Sequence, residues 1–377
     1  MKIGLYIHIP FCQKKCLYCD FPSHDNLAHL YQPYVAALCR EISGMGGVLS
    51  GDIVDTIFIG GGTPTVLSAD SLRRIVQQVH DNFDLDKNVE ISIEANPGTI
   101  DQEKLLTLRA AGVNRISFGV QTFHDPLLVR IGRIHSAAQG IESIKMAKRA
   151  GFNNINVDLM YGLPGQTTEQ LRASILQAIA LDVTHISAYG LKVEEGTPFA
   201  RMEQQGTLQL PDEEIDEGMY DLTTHLLPQQ GFMRYEISNF AKAGYECRHN
   251  LKYWQYQPYL GVGAAAHSFL RSQRLANMTD VATYIRAVEE GRSQATVRET
   301  PENSIAMAEY VFLALRTVAG LSVENFNHYF NADFSTYYAE TIEMLVGKSL
   351  IESTGKAIFL TELGMKYGNV VFRAFLP

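Results

Sequence analysis

The sequence predicts an α/β protein built on a parallel sheet. Across the first 190 residues, short β-rich apolar runs alternate with amphipathic stretches of helical length, the pattern of successive βαβ units. A hydrophobic fraction of 46% against 19% charged residues supplies a sizeable core and argues against global disorder. The 377-residue length is best divided into one large and one smaller domain.

The strand runs, in order, are Leu5 to Ile9, Thr56 to Ile59, Val89 to Ile93, Arg115 to Val120, Ile155 to Met160 and His185 to Tyr189. Between them, Tyr31 to Ile42, Ala69 to Val79, Gln102 to Ala111, Ala137 to Ala150 and Thr168 to Leu181 read as helices. Ser68 and Asp101 stand where N-caps belong, and Gly112 and Gly151 where helices stop. Six such strands fit an incomplete (β/α) barrel or a doubly wound open sheet, and counting elements does not separate the two.

Residues 201–290 change in texture. "LPDEEIDEGMYDLTTHLL" reads as a capped helix, and "GFMRYEISNFAKAGYECRHNLKYWQYQPYLGVGAAAHSF" as aromatic-rich extended structure punctuated by glycine. Residues 291–377 form a third region. Ser304 to Arg316 and Thr336 to Val346 read as helices, and "SLIESTGKAIFLT" as a hairpin turning at Thr354-Gly355-Lys356. Helices followed by a hairpin predict a winged-helix-like α+β domain. Five Lys/Arg against eight Asp/Glu in residues 301–377 favour a partner or lid role for it over DNA binding.

The formal net charge of -9 disfavours a nucleic-acid partner. Residues 1–10 lack the apolar core and cleavage site of a signal peptide. No stretch approaches the 18 apolar residues of a membrane span. Five cysteines, three of them crowded together, suit a reducing cytoplasm and a metal better than a disulfide framework.

The crowded three lie in "HIPFCQKKCLYCDF": Cys12, Cys16 and Cys19, spaced C-x3-C-x2-C on the loop that leaves the first strand. Zinc sites usually pair cysteines and add a second pair or histidines farther on. Here Asp20 and Phe21 follow, and no fourth thiol is near. Three thiolates on a four-iron cluster leave one iron open to a bidentate ligand, for which the amine and carboxylate of S-adenosylmethionine (SAM) are suited. On spacing alone, a zinc staple stays an alternative.

C-x3-C-x2-C after an N-terminal strand resembles the signature of radical-SAM proteins. "YIHIPFC" followed by "FIGGGTPT" resembles the branch that contains oxygen-independent coproporphyrinogen III oxidases and their heme-chaperone relatives, and this resemblance covers essentially the whole chain. It implies an incomplete (β/α)6 radical-SAM barrel over residues 1–200, an extension over 201–290 and the winged-helix-like domain over 291–377. It also implies a [4Fe-4S] cluster on the three cysteines, with SAM beside it.

"GGGTPT" after the second strand lacks the Lys-Ser/Thr ending of a Walker A loop, and by itself reads as a tight βα turn. The resemblance assigns Gly61, Gly62 and Thr63 to the methionyl end of SAM. Glu94, Gln121, Arg133 and Asp158 stand at or just past later strand ends, where barrels collect ligands. A carboxylate accepts from ribose hydroxyls, and an arginine pairs with the SAM carboxylate. The resemblance also places Tyr6 and Tyr18 near SAM and the cluster; their alternative is core tyrosine.

Two departures count against coproporphyrinogen decarboxylation. Those oxidases carry a further cysteine two residues past the third ligand, where this chain has Phe21, and a longer segment ahead of the cluster. "CRHNLKYW" instead resembles the H-N-x-x-Y-W motif of the heme chaperones. It implies heme as cargo, with His249 or Cys247 as iron ligand, Tyr253 and Trp254 stacking on the macrocycle, and Arg248 or Lys252 neutralising propionates. His267, in "GVGAAAHSF", offers a second imidazole, and Cys39 reads as core. The alternative for the motif is an aromatic loop whose histidine is hydrogen-bonded. The expected function is heme delivery to acceptor haemoproteins, respiratory ones among them, with a homodimer in view. A coproporphyrinogen III oxidase or another porphyrin-modifying enzyme is the alternative.

Overall fold

The computed structural model describes residues 1–377. Strands β1 (Lys2–Ile9), β2 (Ile53–Gly61), β3 (Leu85–Ala95), β4 (Arg115–Gln121), β5 (Asn154–Tyr161) and β6 (His185–Gly190) lie side by side in chain order, all parallel. The crossovers contain α1 (Tyr31–Met45), α2 (Ala69–Asn82), α3 (Gln102–Ala110), α4 (Asp125–Arg130), α5 (Ala137–Arg149) and α6 (Thr168–Ala180). Ser68 and Asp101 cap α2 and α3 by accepting from Ser71 N and Lys104 N, as their positions predict.

The uninterrupted strand order decides between the two architectures. Right-handed crossovers that always step the same way keep the helices on one face, whereas a doubly wound sheet reverses direction at a switch point. Every strand therefore has a helix face and an inner face. Ile57, Ile93, Phe118, Val157 and Ile186 enter the main hydrophobic cluster. Glu90, Ser92, Glu94, Arg115, Ser117, Asn156, Asp158, His185 and Ser187 occupy the alternate positions, as the period of two requires. The sheet stays open, so the barrel is incomplete.

Both edges of this sheet are extended. Beyond β6, which is followed by α7 (Pro198–Gln204) and α8 (Glu213–Gln229), lie β7 (Met233–Arg234) and β8 (Asn239–Ala241), with β8 antiparallel to β6. The chain then forms α9 (Arg248–Trp254) and returns to the other edge, where β9 (Tyr259–Val262) pairs parallel with β1. Strands β10 (His267–Leu270), β11 (Gln273–Asn277) and, after α10 (Val281–Glu289), β12 (Ala295–Glu299) continue that edge antiparallel.

The C-terminal part runs α11 (Asn303–Leu315), β13 (Leu321–Ser322), α12 (Val323–Phe330), α13 (Phe334–Tyr337) and α14 (Ala339–Gly347), then the hairpin β14 (Ile351–Ser353) and β15 (Ala357–Leu360). The sheet order β13-β15-β14 is that of a winged helix. Gly355 turns the hairpin at φ +77° where the sequence expected it. Fifteen buried residues from Met307 to Phe375 form a hydrophobic cluster of their own.

One expectation is overturned here. Residues 248–254, read as extended, form helix α9. No side chain of its own N-terminal turn caps it. Instead the Glu90 carboxylate on β3 accepts from Arg248 N at 3.1 Å and His249 N at 3.0 Å. An anion at a helix N-terminus satisfies donors that would otherwise be orphaned. Replacing Glu90 by alanine is expected to cost roughly 3 kcal/mol, because buried backbone donors and the nearby Arg115 charge lose their partner together. Denaturant unfolding checks this, and a loss below about 1 kcal/mol would show that α9 does not depend on the carboxylate.

Candidate functional site

The cysteine loop closes on itself before it meets anything else. Cys12 N donates to His24 O at 2.9 Å and His24 N to Pro10 O at 2.9 Å, which brings residues 10–12 alongside residue 24. The glycine loop then fastens to it: Gly62 N donates to Ile9 O at 2.9 Å and Thr63 N to Phe11 O at 2.7 Å. A Cβ on Gly62 would meet the Phe11 backbone, and one on Gly61, at φ +114°, would meet the His8 ring. These glycines are thus needed for the close approach of two loops.

Cys12, Cys16 and Cys19 line one cavity of about 330 Å³ at the C-terminal ends of the strands. Tyr18, Gly61, Gly62, Thr63, Glu94, Gln121, Arg133 and Asp158 line it with them. Cys12 and Cys16 are buried and Cys19 half-buried. Burial pushes the Cys19 thiol up to about 11 and raises that of Cys12. A polar relay ties two of the sulfurs to the far wall. Thr63 Oγ1 donates to Cys12 Sγ at 3.6 Å and accepts from Asn96 Nδ2 at 2.7 Å. Arg133 donates through Nη2 to Asn96 Oδ1 at 2.8 Å and through Nη1 to Cys16 Sγ at 3.4 Å.

Two carboxylates face each other across this cavity. Glu94 Oε2 accepts from Gly61 N at 3.1 Å, while burial first and Asp158 second push its carboxyl up to about 8. Asp158 accepts from Asn156 Nδ2 at 2.7 Å and from Ser117 Oγ at 3.4 Å, and burial raises its pKa too. Gln121 reaches the wall from a left-handed backbone at φ 68°, beside a register shift between β4 and β5.

Four expected residues, Tyr6, His249, Tyr253 and Trp254, lie elsewhere. Tyr6 faces a second cavity, of about 310 Å³, that shares Phe21, Phe58, Gly61 and Glu94 with the first; its hydroxyl meets His8 Nδ1 at 2.9 Å. His249 is fully buried in α9 with both ring nitrogens engaged, Nδ1 to Thr56 Oγ1 at 2.9 Å and Nε2 to Tyr253 OH at 2.8 Å. In this fold both imidazole nitrogens are hydrogen-bonded and the ring anchors α9, the arrangement of the hydrogen-bonded alternative. Trp254 lines neither cavity; Arg316 lies over its ring at 4.4 Å. Cys247 is wholly buried near Glu90, with its thiol pushed up to about 12 by burial, and the Lys252 ammonium pairs with Asp55 at 2.8 Å. Tyr253 reaches the second cavity, and Asn250, which the sequence did not single out, reaches the first.

The reading of sequence missed Asn96, Ser117, Asn156, Ser187 and Tyr189 on the cavity wall. A signal was available: along β3 to β6 polar residues recur at every second position, Ser92 and Glu94, Arg115 and Ser117, Asn156 and Asp158, Ser187 and Tyr189. In a strand buried on both faces, that alternation marks the side which faces something other than hydrocarbon.

An open six-stranded parallel barrel with three loop thiols facing Arg133 and paired carboxylates defines the radical SAM class, and residues 6–178 match the model of the radical SAM superfamily. Residues 305–366 match the HemN C-terminal domain. Heme chaperone HemW of Bacillus subtilis (strain 168) is 41% identical over 374 residues, 98% of each chain. That of Lactococcus lactis (strain IL1403) is 36% identical over 371 residues, 98% of this chain and 96% of the other. The solved coproporphyrinogen III oxidase HemN of Escherichia coli superposes with a TM-score of 0.87 at 25% identity, covering 99% of this chain and 89% of that one. The chain belongs to the HemW family of radical SAM proteins, related to coproporphyrinogen III oxidase.

The residues present fit a cluster with SAM. Arg133 Nε is buried without a partner, a donor left over at the cavity wall, and such orphans call for a ligand or water. The three thiols surround a cavity and do not converge on a point where one ion could bind, as a tetrahedral zinc would require.

Proposed function

We propose that this protein is a heme chaperone that binds heme and passes it to acceptor haemoproteins. Cys12, Cys16 and Cys19 would hold a [4Fe-4S] cluster, and SAM would lie beside it. Such a cluster, with one iron lacking a protein ligand, supplies one-electron chemistry to SAM. Arg133 offers its guanidinium to the SAM carboxylate, the form of recognition to which its planar donors are suited. Glu94 and Asp158 would accept from the SAM hydroxyls, and Gly61, Gly62 and Thr63 would form the floor against the cysteine loop.

One observation carries the reading: the chain matches proteins named as heme chaperones along nearly its whole length, and its three thiols and Arg133 meet on one cavity. Phe21, exposed at the rim where the resembling oxidases have a further cysteine, weighs against decarboxylation. No helix is long and apolar enough to cross a membrane, in keeping with delivery in the cytoplasm. Respiratory haemoproteins are the first acceptors to try, and analytical ultracentrifugation with and without cluster would test a homodimer.

Anaerobically reconstituted protein titrated with ferric heme is expected to develop a Soret band at about one heme per chain and to surrender that heme to an apo-haemoprotein. Absence of the band, or turnover of coproporphyrinogen III to protoporphyrinogen IX, would overturn the reading in favour of an enzyme.

A further inference from the structure

The second cavity shares Phe21, Phe58, Gly61 and Glu94 with the first, but none of the three thiols nor Arg133 lines it. Its walls are aromatic: Tyr6, Phe58, Tyr253 and Tyr259 line it, with Ala265 and His267 at its edge. Tyr253 and Tyr259 meet edge to face at 4.6 Å between ring centroids, and Tyr6 and Phe58 lie nearly parallel at 6.3 Å. The volume of about 310 Å³ lies at the lower end for ligand pockets, and one side opens to solvent.

We propose that this cavity receives one edge of the heme macrocycle, with His267 as the axial ligand to its iron. The assignment rests on the heme-chaperone reading above and moves the ligand away from His249. His249 has no free ring nitrogen, and that of His8 is likewise absent, Nδ1 meeting Tyr6 OH at 2.9 Å and Nε2 meeting Pro22 O at 2.9 Å. His267 is exposed at the rim, and its imidazole has no hydrogen-bond partner within the chain. An unpartnered imidazole over aromatic walls matches what ferric heme needs, a nitrogen donor and apolar faces for the ring.

The backbone that carries His267 is held firmly. Gly263 N donates to Glu41 Oε2 at 2.7 Å, and Asn277 Nδ2 donates to Glu41 Oε1 at 2.8 Å. Tyr284 OH donates to the same buried carboxylate at 2.6 Å, and Ala265 N to Met278 O at 2.9 Å. A ligand set on a rigid hairpin loses little freedom on binding. No lysine or arginine lines the cavity, so the propionates would point to solvent and the outer half of the ring would stay uncovered. Partial enclosure suits cargo that must leave. Because Phe58, Gly61 and Glu94 form a shared wall, heme here would stand next to SAM.

The test is ferric heme titration of the full chain, comparing the wild type with His267→Ala, His267→Met and His249→Ala, each checked for native circular dichroism. His267→Ala is expected to bind heme on the order of tenfold more weakly or worse and to lose the imidazole-ligated spectrum. Added imidazole should restore that spectrum, and His267→Met should shift it toward thioether ligation. Unchanged affinity and spectrum in His267→Ala, or loss of the imidazole signature in a folded His249→Ala alone, would overturn the assignment while leaving the chaperone reading intact. A wild type that binds no heme would overturn both.

Discussion

Cys16→Ser should leave the anaerobically reconstituted chain with less than about one-tenth of the roughly four irons and four sulfides expected per chain of the native protein. The thiolate is the ligand, and a serine hydroxyl at neutral pH does not replace it. The same change removes the sulfur that accepts from Arg133 Nη1 at 3.4 Å, so SAM affinity should fall together with iron content. Cys12→Ser and Cys19→Ser should behave alike. Cys39→Ser is the discriminating control: Cys39 lies on α1, lines no part of the cluster cavity and should keep its iron. Iron and sulfide analysis with the charge-transfer absorbance decides the matter. Retention of a full cluster by Cys16→Ser would mean that other side chains hold the metal.

The second large effect is a pH dependence of stability centred on Glu94. Burial, and next to it Asp158, push its carboxyl from an ordinary 4.5 up to about 8 in the fold. An unfolded chain releases that proton at lower pH than the folded one. The stability held while Glu94 stays protonated is therefore complete below about 4.5 and falls as pH rises towards about 8. The slope for this group approaches about 1.4 kcal/mol per pH unit within the window and vanishes above it. Glu94→Gln, which is always neutral, should flatten that slope and make the cluster-free protein more stable at pH 8 than the wild type. The same substitution should weaken SAM by up to about tenfold, since a hydrogen bond to a neutral carboxyl contributes about 0.5–1.5 kcal/mol. Denaturant midpoints across the pH range provide the readout; equal slopes in both proteins would place the ionisation elsewhere.

These effects come from residues of unequal visibility. That Cys12, Cys16 and Cys19 face one cavity was legible because they share one short loop, with spacing that survives any tertiary arrangement. Glu94 and Asp158 reach the cavity wall from their strands, since a parallel barrel brings all its C-terminal ends to one mouth, whereas Arg133 reaches it from the loop after α4 and not from a strand end. Asn96 was not legible, for its part is to bridge Arg133 and Thr63, and neither neighbour is near it in sequence. Tyr6 was displaced by the wall of Phe58 and Glu94, whose direction follows from the pleat together with the curl of the sheet.

The motif around His249 taught the reverse lesson. An H-N-x-x-Y-W string beside aromatic residues reads as exposed ligand chemistry, yet residues 248–254 coil into a short helix capped by Glu90 from β3. The alternative reading of a hydrogen-bonded histidine describes what the fold does with His249.

By itself, the sequence determined the alternation of six strands with helices, the three-thiol loop, the glycine turn and the winged hairpin. Each depends on neighbours within a few residues, through periodicity, capping and spacing. Only the tertiary structure decided that the strands keep one order and curl, that α9 buries His249, and that His267 stands unpartnered over a second cavity. Those outcomes depend on which distant groups arrive to satisfy a buried donor, as Glu90 does for α9 and Glu41 for the loop before His267, and a linear pattern does not encode such partners.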